Sequence, residues 1–194
     1  MSGRGGMRKT FAVLAILWLC AAAAPLRAQE PEETSPRHQA YLLWQEGTIL
    51  HLLGEYEAAI ERYRKSIEIH PTAEGHTYLG WSLSQLDRLA EAIAECKKAI
   101  PLDPDYGNPY NDIGVYLIDL GRPDEAIPWL EKAMGAKRYC CYQFAHFNMG
   151  RILLMKERPA EAERAFRRAL SYDPEYLPAL RGLEYIRGQG LRTL

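Results

Sequence analysis

Apolar and small residues recur along the chain at helical spacing, in short segments separated by polar turns. Four leucines each follow a glycine by three residues, namely Leu50, Leu83, Leu117 and Leu153. A separation of three or four residues places side chains on one face of an α-helix. Helix-breaking turns follow, for example Leu53-Gly54-Glu55 and Leu120-Gly121-Arg122-Pro123. The pattern predicts short amphipathic helices arranged in pairs.

The predicted helix pair repeats along the sequence. The four glycines are Gly47, Gly80, Gly114 and Gly150, with spacings of 33, 34 and 36 residues. An alanine stands twelve residues after each glycine, at Ala59, Ala92, Ala126 and Ala162. A second small residue follows seven positions later, at Ser66, Ala99, Ala133 and Ala169. One helix pair cannot bury its apolar face alone, so the repeat predicts an all-α stack of neighbouring pairs.

These residues resemble the tetratricopeptide repeat (TPR) family, whose unit of about 34 residues carries conserved small, aromatic and proline positions. The first repeat matches with Gly47, Ala59, Tyr63, Ser66 and Pro71, and the fourth matches with Gly150, Ala162, Phe166, Ala169 and Pro174. Cys96 and Leu130 replace the aromatic residue, and Arg138 stands where a closing proline belongs. The resemblance implies a right-handed superhelical solenoid of antiparallel helix pairs with a C-terminal capping helix.

The repeat spacing predicts the domain organisation. A TPR domain is expected over 38–188, preceded by a flexible linker over 29–37 and followed by a tail over 189–194. Its predicted parts are four repeats and a capping helix, at 40–72, 73–106, 107–140, 143–176 and 177–188.

Residues 1–28 have the pattern of a secretory signal peptide. Basic residues at Arg4, Arg8 and Lys9 precede an uncharged apolar run from Phe11 to Ala24, and Ala28 ends a candidate cleavage site. The run is shorter than the ~20 residues that a membrane span needs. We therefore expect a periplasmic or secreted protein with no membrane span after cleavage; an uncleaved membrane anchor is the alternative.

Charge and motif content disfavour nucleic-acid binding and catalysis. Residues 29–194 contain 20 Lys and Arg against 25 Asp and Glu, a net charge of −5. A mildly acidic domain has no general electrostatic attraction for nucleic acid. The sequence lacks a phosphate-binding glycine loop, a nucleophile elbow and a zinc-protease helix motif. We therefore predict a non-enzymatic protein without a cofactor.

In TPR proteins the first helices line a concave groove that binds partner proteins. By position, the resemblance assigns twelve groove residues here, which are Tyr41, Trp44, Thr48, Tyr78, Trp81, Asn108, Asn111, Asp112, Phe144, Phe147, Asn148 and Arg151. Aromatic rings and amides suit a peptide or helix of a cell-envelope protein. The alternative for each ring is packing against the next repeat. The basic residues with which chaperone-binding TPR domains hold a C-terminal carboxylate are absent from the matching positions.

The segment 136–147 contains Cys140, Cys141 and His146 and raises an alternative function. The cysteine pair suggests a thiol- or metal-dependent redox site, a lengthened turn between repeats, or an intermolecular disulfide. We expect the turn, because the pair lies where the glycine spacing grows to 36, with residues 136–138 ending a helix. His70, Glu74 and His76 are a weaker metal candidate. A third hypothesis is a self-associating subunit, a homodimer in which the groove of one copy holds another.

Overall fold

The computed structural model describes residues 35–192, and the side chains of 189–192 are not described. The predicted signal peptide, most of the linker and residues 193–194 lie outside this range. The helices within it are α1 (Pro36–Leu52), α2 (Tyr56–Ile69), α3 (Ala73–Gln85), α4 (Leu89–Leu102), α5 (Asn108–Asp119), α6 (Pro123–Gly135), α7 (Tyr142–Met155), α8 (Pro159–Tyr172) and α9 (Leu177–Arg192). The predicted all-α fold is confirmed.

Consecutive helices pack as antiparallel pairs, α1 with α2, α3 with α4, α5 with α6, and α7 with α8. Each second helix also contacts the first helix of the next pair, and α9 packs on α8. The first helices α1, α3, α5 and α7 touch one another in succession. This stacking is the predicted right-handed superhelical solenoid, and its first helices form one continuous surface.

Three of the four repeat glycines, Gly47, Gly114 and Gly150, make room for a large side chain of the paired helix. A Cβ atom on Gly47 would lie 2.8 Å from the Tyr63 ring, and one on Gly150 would lie 2.4 Å from Phe166. The Phe166 ring also faces Gly182 of α9, where a Cβ atom would lie 2.6 Å away. The close approach explains why glycine is needed at these helix contacts. It also makes Phe166 the link between the last pair and the capping helix.

The turn within each helix pair contains one residue in the left-handed region. These residues are Gly54, Asp87, Gly121 and Glu157, with φ between 57° and 82°. The turn is closed by backbone hydrogen bonds such as Glu55 N–H to Leu50 C=O at 2.9 Å. Glycine adopts this conformation without steric cost, so the sequence signal is strong in two turns and absent from the other two.

Three predicted boundaries differ from the structure. Helix α1 begins at Pro36, so the last two residues of the predicted linker are helical. Helix α9 extends to Arg192, beyond the predicted end at 188. Helix α6 ends at Gly135 rather than at Arg138, because Ala136 is extended and Arg138 pairs with a distant backbone segment. The segment 136–141 is therefore a connection and not the end of a helix.

Arg138 fastens this connection to the preceding pair, an arrangement we call the Arg138 clasp. Its N–H donates to the Asp105 carbonyl at 2.8 Å, and its carbonyl accepts from Gly107 N–H at 3.1 Å. The guanidinium lies 4.1 Å from the centre of the Tyr106 ring. It also pairs with Glu74 at 2.9 Å and with Asp103 at 2.6 Å. The clasp performs the role for which the other repeats use a proline, which is to fix the junction.

Candidate functional site

The surface of the first helices contains a pocket that spans three helix pairs. We call it the groove pocket; it has a volume of about 320 Å³ and is lined by Thr77, Tyr78, Trp81, Asn108, Asn111, Asp112, Tyr139 and Phe144. A second cavity of about 300 Å³ shares Trp81 and Asp112 and extends along α5 to Asp119. Together the two cavities form a groove that follows the direction in which the helices stack.

Four of the predicted rings form a row on α1 and α3. Trp44 stacks on Tyr41 with 5.9 Å between ring centres, and its other neighbour is Tyr78 at 5.1 Å. Tyr78 in turn lies 5.8 Å from Trp81. Tyr41 is 51% exposed and Trp81 is 40% exposed. The row therefore presents aromatic surface to a partner while its inner rings pack together.

A buried histidine supports the exposed Trp81 ring. The His51 ring lies 4.0 Å from the Trp81 ring, and its Nδ1 is 2.8 Å from the Ser82 hydroxyl. Burial lowers the pKa of His51, so the ring is neutral near pH 7. The neutral, hydrogen-bonded His51 ring therefore packs against Trp81 and helps to hold it in one position.

A chain of hydrogen bonds crosses the floor of the groove from α7 to α5. The Arg151 guanidinium donates to the Asn148 oxygen, the Asn148 amide to the Asn111 oxygen, and the Asn111 amide to the Asp112 carboxylate, each at 3.2 Å. Because an ionised carboxylate only accepts, this direction fixes the orientation of both amides. Arg151 also donates to Asp119 at 3.2 Å. Four residues predicted from two different repeats thus form one network.

Asp112 is the terminal acceptor of this network and occupies an unfavourable position for a charge. Burial raises the pKa of the Asp112 carboxyl to about 7, against the opposing effect of the Asn111 hydrogen bond. Two buried phenols line the cavities around it; the Tyr116 hydroxyl lies beside the Ser84 side chain and the Tyr139 hydroxyl beside the Ala145 backbone. Burial raises the pKa of both phenols, so both are neutral hydrogen-bonding groups.

The remaining predicted groove residues have different roles. Phe144 lines the groove pocket and is 38% exposed, as expected of a contact residue. Phe147 packs 5.7 Å from Phe166 and 5.5 Å from Tyr176, so the packing alternative applies to this ring. Thr48 donates to the Trp44 carbonyl at 2.9 Å and accepts from Tyr63 of α2, so it connects the aromatic row to the paired helix. Asn108 lines the pocket.

The cysteine segment is a connection between helix pairs. The Cys140 and Cys141 sulfurs lie 2.7 Å apart, and Cys140 is exposed. Burial raises the pKa of Cys141 to about 12, so its thiol is protonated and a weak nucleophile near pH 7. His146 stacks on Tyr172 at 5.5 Å. The redox hypothesis therefore has less physical support than the groove.

The residues of the weaker metal candidate contact different partners. His76 Nδ1 lies 2.7 Å from Glu95 of α4, whereas Glu74 pairs with Arg138. In the part of the chain that the structure describes, no group of three His, Cys, Asp or Glu side chains is placed to share a metal ion. Over the same residues, no helix combines the length and the apolarity of a membrane span.

Sequence reasoning missed Tyr139 as a pocket residue. Tyr139 precedes the cysteine pair in the connection 136–141, at a repeat position that the family does not assign to the groove. A Cβ atom on Gly107 would lie 2.4 Å from the Tyr139 side chain, so the ring packs directly on the start of α5. A tyrosine beside the missing proline is the only sequence signal, and it is a weak one.

Comparison with known proteins identifies the repeat. Tetratricopeptide repeat models match residues 45–107, 108–140 and 143–176. A relative from Mycosarcoma maydis, small glutamine-rich tetratricopeptide repeat-containing protein 2, is 33% identical over 81 residues. That match covers 41% of this chain but only 23% of the relative, so the chain corresponds to less than a quarter of the length of that protein.

Two solved structures show the same fold. Pseudomonas aeruginosa PilF is 24% identical, with a TM-score of 0.67 over 80% of this chain and 78% of its own. The second TPR domain of Spaghetti (RPAP3), solved with an HSP90 peptide, is 25% identical, with a TM-score of 0.51 over 55% of this chain and 100% of its own. With its repeating glycines and stacked helix pairs, the chain belongs to the tetratricopeptide repeat family.

Proposed function

We propose that this chain is a non-enzymatic adaptor that holds a peptide or helix of another protein in its concave groove. The observation that carries the proposal is the exposure of Trp81 and Phe144 on opposite sides of a pocket with a polar floor. Large exposed rings around a concave site are typical of the central contacts in protein interfaces. The peptide-bound Spaghetti domain supports this use of the fold.

The ligand chemistry differs from that of a carboxylate-binding domain. The residues at the matching clamp positions are aromatic, hydroxyl, amide or acidic, and Arg151 is already paired with Asp119. A partner segment is therefore held by ring contacts and by hydrogen bonds to amides, rather than by a cluster of lysines. An extended segment suits this floor, because its backbone can bond Asn108 while its side chains enter the two cavities.

The groove assignment is tested with a photoreactive benzoyl-phenylalanine in place of Phe144, in cells that express the full chain. We expect crosslinking to one partner protein, and no crosslinking to it from the same group at the exposed Tyr185 of α9. A crosslink to a second copy of the chain would instead favour the self-association hypothesis.

With that partner purified, Trp81→Ala combined with Phe144→Ala should weaken binding by at least about tenfold, because the exposed rings supply the contact area. The matched control is Trp129→Ala, which removes the same ring from second helix α6, where it lies near Lys97 and Lys132. Calorimetry gives the affinities, and circular dichroism confirms that the variants are folded. Unchanged affinity in the double variant would exclude the groove.

We further propose that the protein is exported, on the basis of the basic and apolar pattern of residues 1–28. The expected result of cell fractionation and N-terminal sequencing is a mature chain in the envelope or secreted fraction that begins at Gln29. Recovery of the intact chain with Met1 in the cytosol would contradict export without affecting the groove.

A further inference from the structure

The groove pocket has aromatic walls. Tyr78 and Trp81 of α3 form one side, Phe144 of α7 forms the other, and Tyr139 of the connection closes the end. The Tyr78 and Trp81 rings meet edge to face, at 77° between their planes. Faces of aromatic rings attract cations through their quadrupoles, and several rings around one cavity are a recurrent arrangement for binding ammonium groups.

The pocket also contains one carboxylate without a cationic partner. Asp112 accepts a hydrogen bond from Asn111 and forms no ion pair among the described residues. The nearest guanidinium in the network, that of Arg151, is separated from it by two asparagines and is paired with Asp119. A carboxylate that is partly withdrawn from water is stabilised by a cation placed beside it.

From the aromatic walls and the unpaired Asp112 carboxylate, we infer that the groove pocket receives a basic side chain, lysine or arginine, of the bound segment. The inference rests on the proposed groove function and specifies its partner. The cation supplies the missing charge for Asp112 and packs against the faces of the rings. A carboxylate ligand is disfavoured, because it would face Asp112 directly.

The test uses the full chain and pools of short fluorescent peptides that differ only at their centre, where Lys, Arg, Gln or Glu is fixed. Fluorescence anisotropy is measured at pH 8, where the Asp112 carboxyl is ionised. We expect the Lys or the Arg pool to bind at least about tenfold more tightly than the Gln pool, and the Glu pool to bind most weakly. The order of Lys and Arg identifies which cation the pocket prefers.

The isosteric Asp112→Asn variant should lose the preference for the basic pools over the Gln pool. Asp124→Asn is the matched control, since this carboxylate lies on second helix α6, outside the groove, and is already paired with Lys156; it should keep the preference. Equal affinity of the wild-type chain for the Lys, Arg and Gln pools would overturn the inference, as would an undiminished preference in Asp112→Asn. With either result, the proposed groove function would still be supported if the Trp81→Ala, Phe144→Ala double variant binds the crosslinked partner more weakly than the wild-type chain does.

Discussion

Replacing Phe166 by alanine is expected to lower the free energy of unfolding by about 3–5 kcal/mol, the range for removing a fully buried ring from a tight core. Phe166 is 1% exposed, and its ring fills the space between Gly150 of α7 and Gly182 of α9. The glycines have no side chain with which to close the cavity. Urea unfolding followed by circular dichroism measures the loss.

The loss should be concentrated at the C-terminal end of the array, because each helix pair is stabilised mainly by its neighbours. Hydrogen exchange should therefore increase in α8 and α9 more than in α1 and α2. Tyr185→Ala is the matched control, as it removes an aromatic ring that is exposed on α9, and its effect should stay within about 0.5 kcal/mol. A loss below about 1 kcal/mol for Phe166→Ala would mean that the two glycine contacts do not hold the capping helix.

Asp112→Asn is expected to stabilise the free protein, in a way that depends on pH. The folded chain binds the Asp112 proton with a pKa of about 7, whereas the ordinary value is 3.8. The folded state therefore holds a proton that the unfolded state has released, and the stability of the wild-type chain falls as pH rises from about 4 to about 7. The asparagine variant lacks this loss.

We expect the advantage of Asp112→Asn to grow between pH 4 and pH 7 and to stay constant above pH 7, at about 1–3 kcal/mol. Water reaching the partly exposed side chain keeps this value below that of a fully buried charge. Urea unfolding at pH 4, 5.5 and 8 measures it, with Asp119→Asn as the control for removing a paired carboxylate. If Asp112→Asn were less stable than the wild-type chain at pH 8, the conclusion that the charge of Asp112 destabilises the folded protein would be wrong.

The side chains around Asp112 are not expected to cause a change in stability between pH 4 and pH 8. The side chains that interact electrostatically with Asp112 are Tyr78, Cys96, Tyr106, Tyr116, Tyr139 and Cys141. Burial raises the pKa of each, so they remain neutral between pH 4 and pH 8. Arg151 is paired with Asp119, which is the group that the control variant removes.

The sequence predicted the helix pairs and the aromatic row because both follow from the repeat. Trp81 lies where a first-helix position of the family faces the groove, and Gly150 lies where a ring must approach. The same rule does not account for Phe147, because Tyr176, the last residue of the fourth repeat, packs on its ring. The rule assumes that every repeat has the same neighbours, and the terminal one does not.

Pocket chemistry was harder to predict than pocket position. Asn111, Asp112, Asn148 and Arg151 were candidates, but the direction of their hydrogen bonds depends on how α5 and α7 approach each other. Tyr139 lies at a repeat position that the family does not assign to the groove, and its place in the pocket follows from the Arg138 clasp. Long-range contacts of this kind join residues far apart in the chain and leave no periodic signal in it.

The Arg138 clasp has a further consequence for binding. In a linear array, each interface opens with its own free energy, and an interface with extra backbone hydrogen bonds opens less often than one held by side chains alone. The clasp adds two such bonds between the segment after α6 and the segment before α5. Tyr139, which lines the groove pocket, follows Arg138 directly in the chain. Helix α3, which forms another wall of the pocket, is joined to Arg138 through the Glu74 ion pair. Its walls are therefore held in place before a ligand arrives, and binding does not require the entropy loss of assembling them.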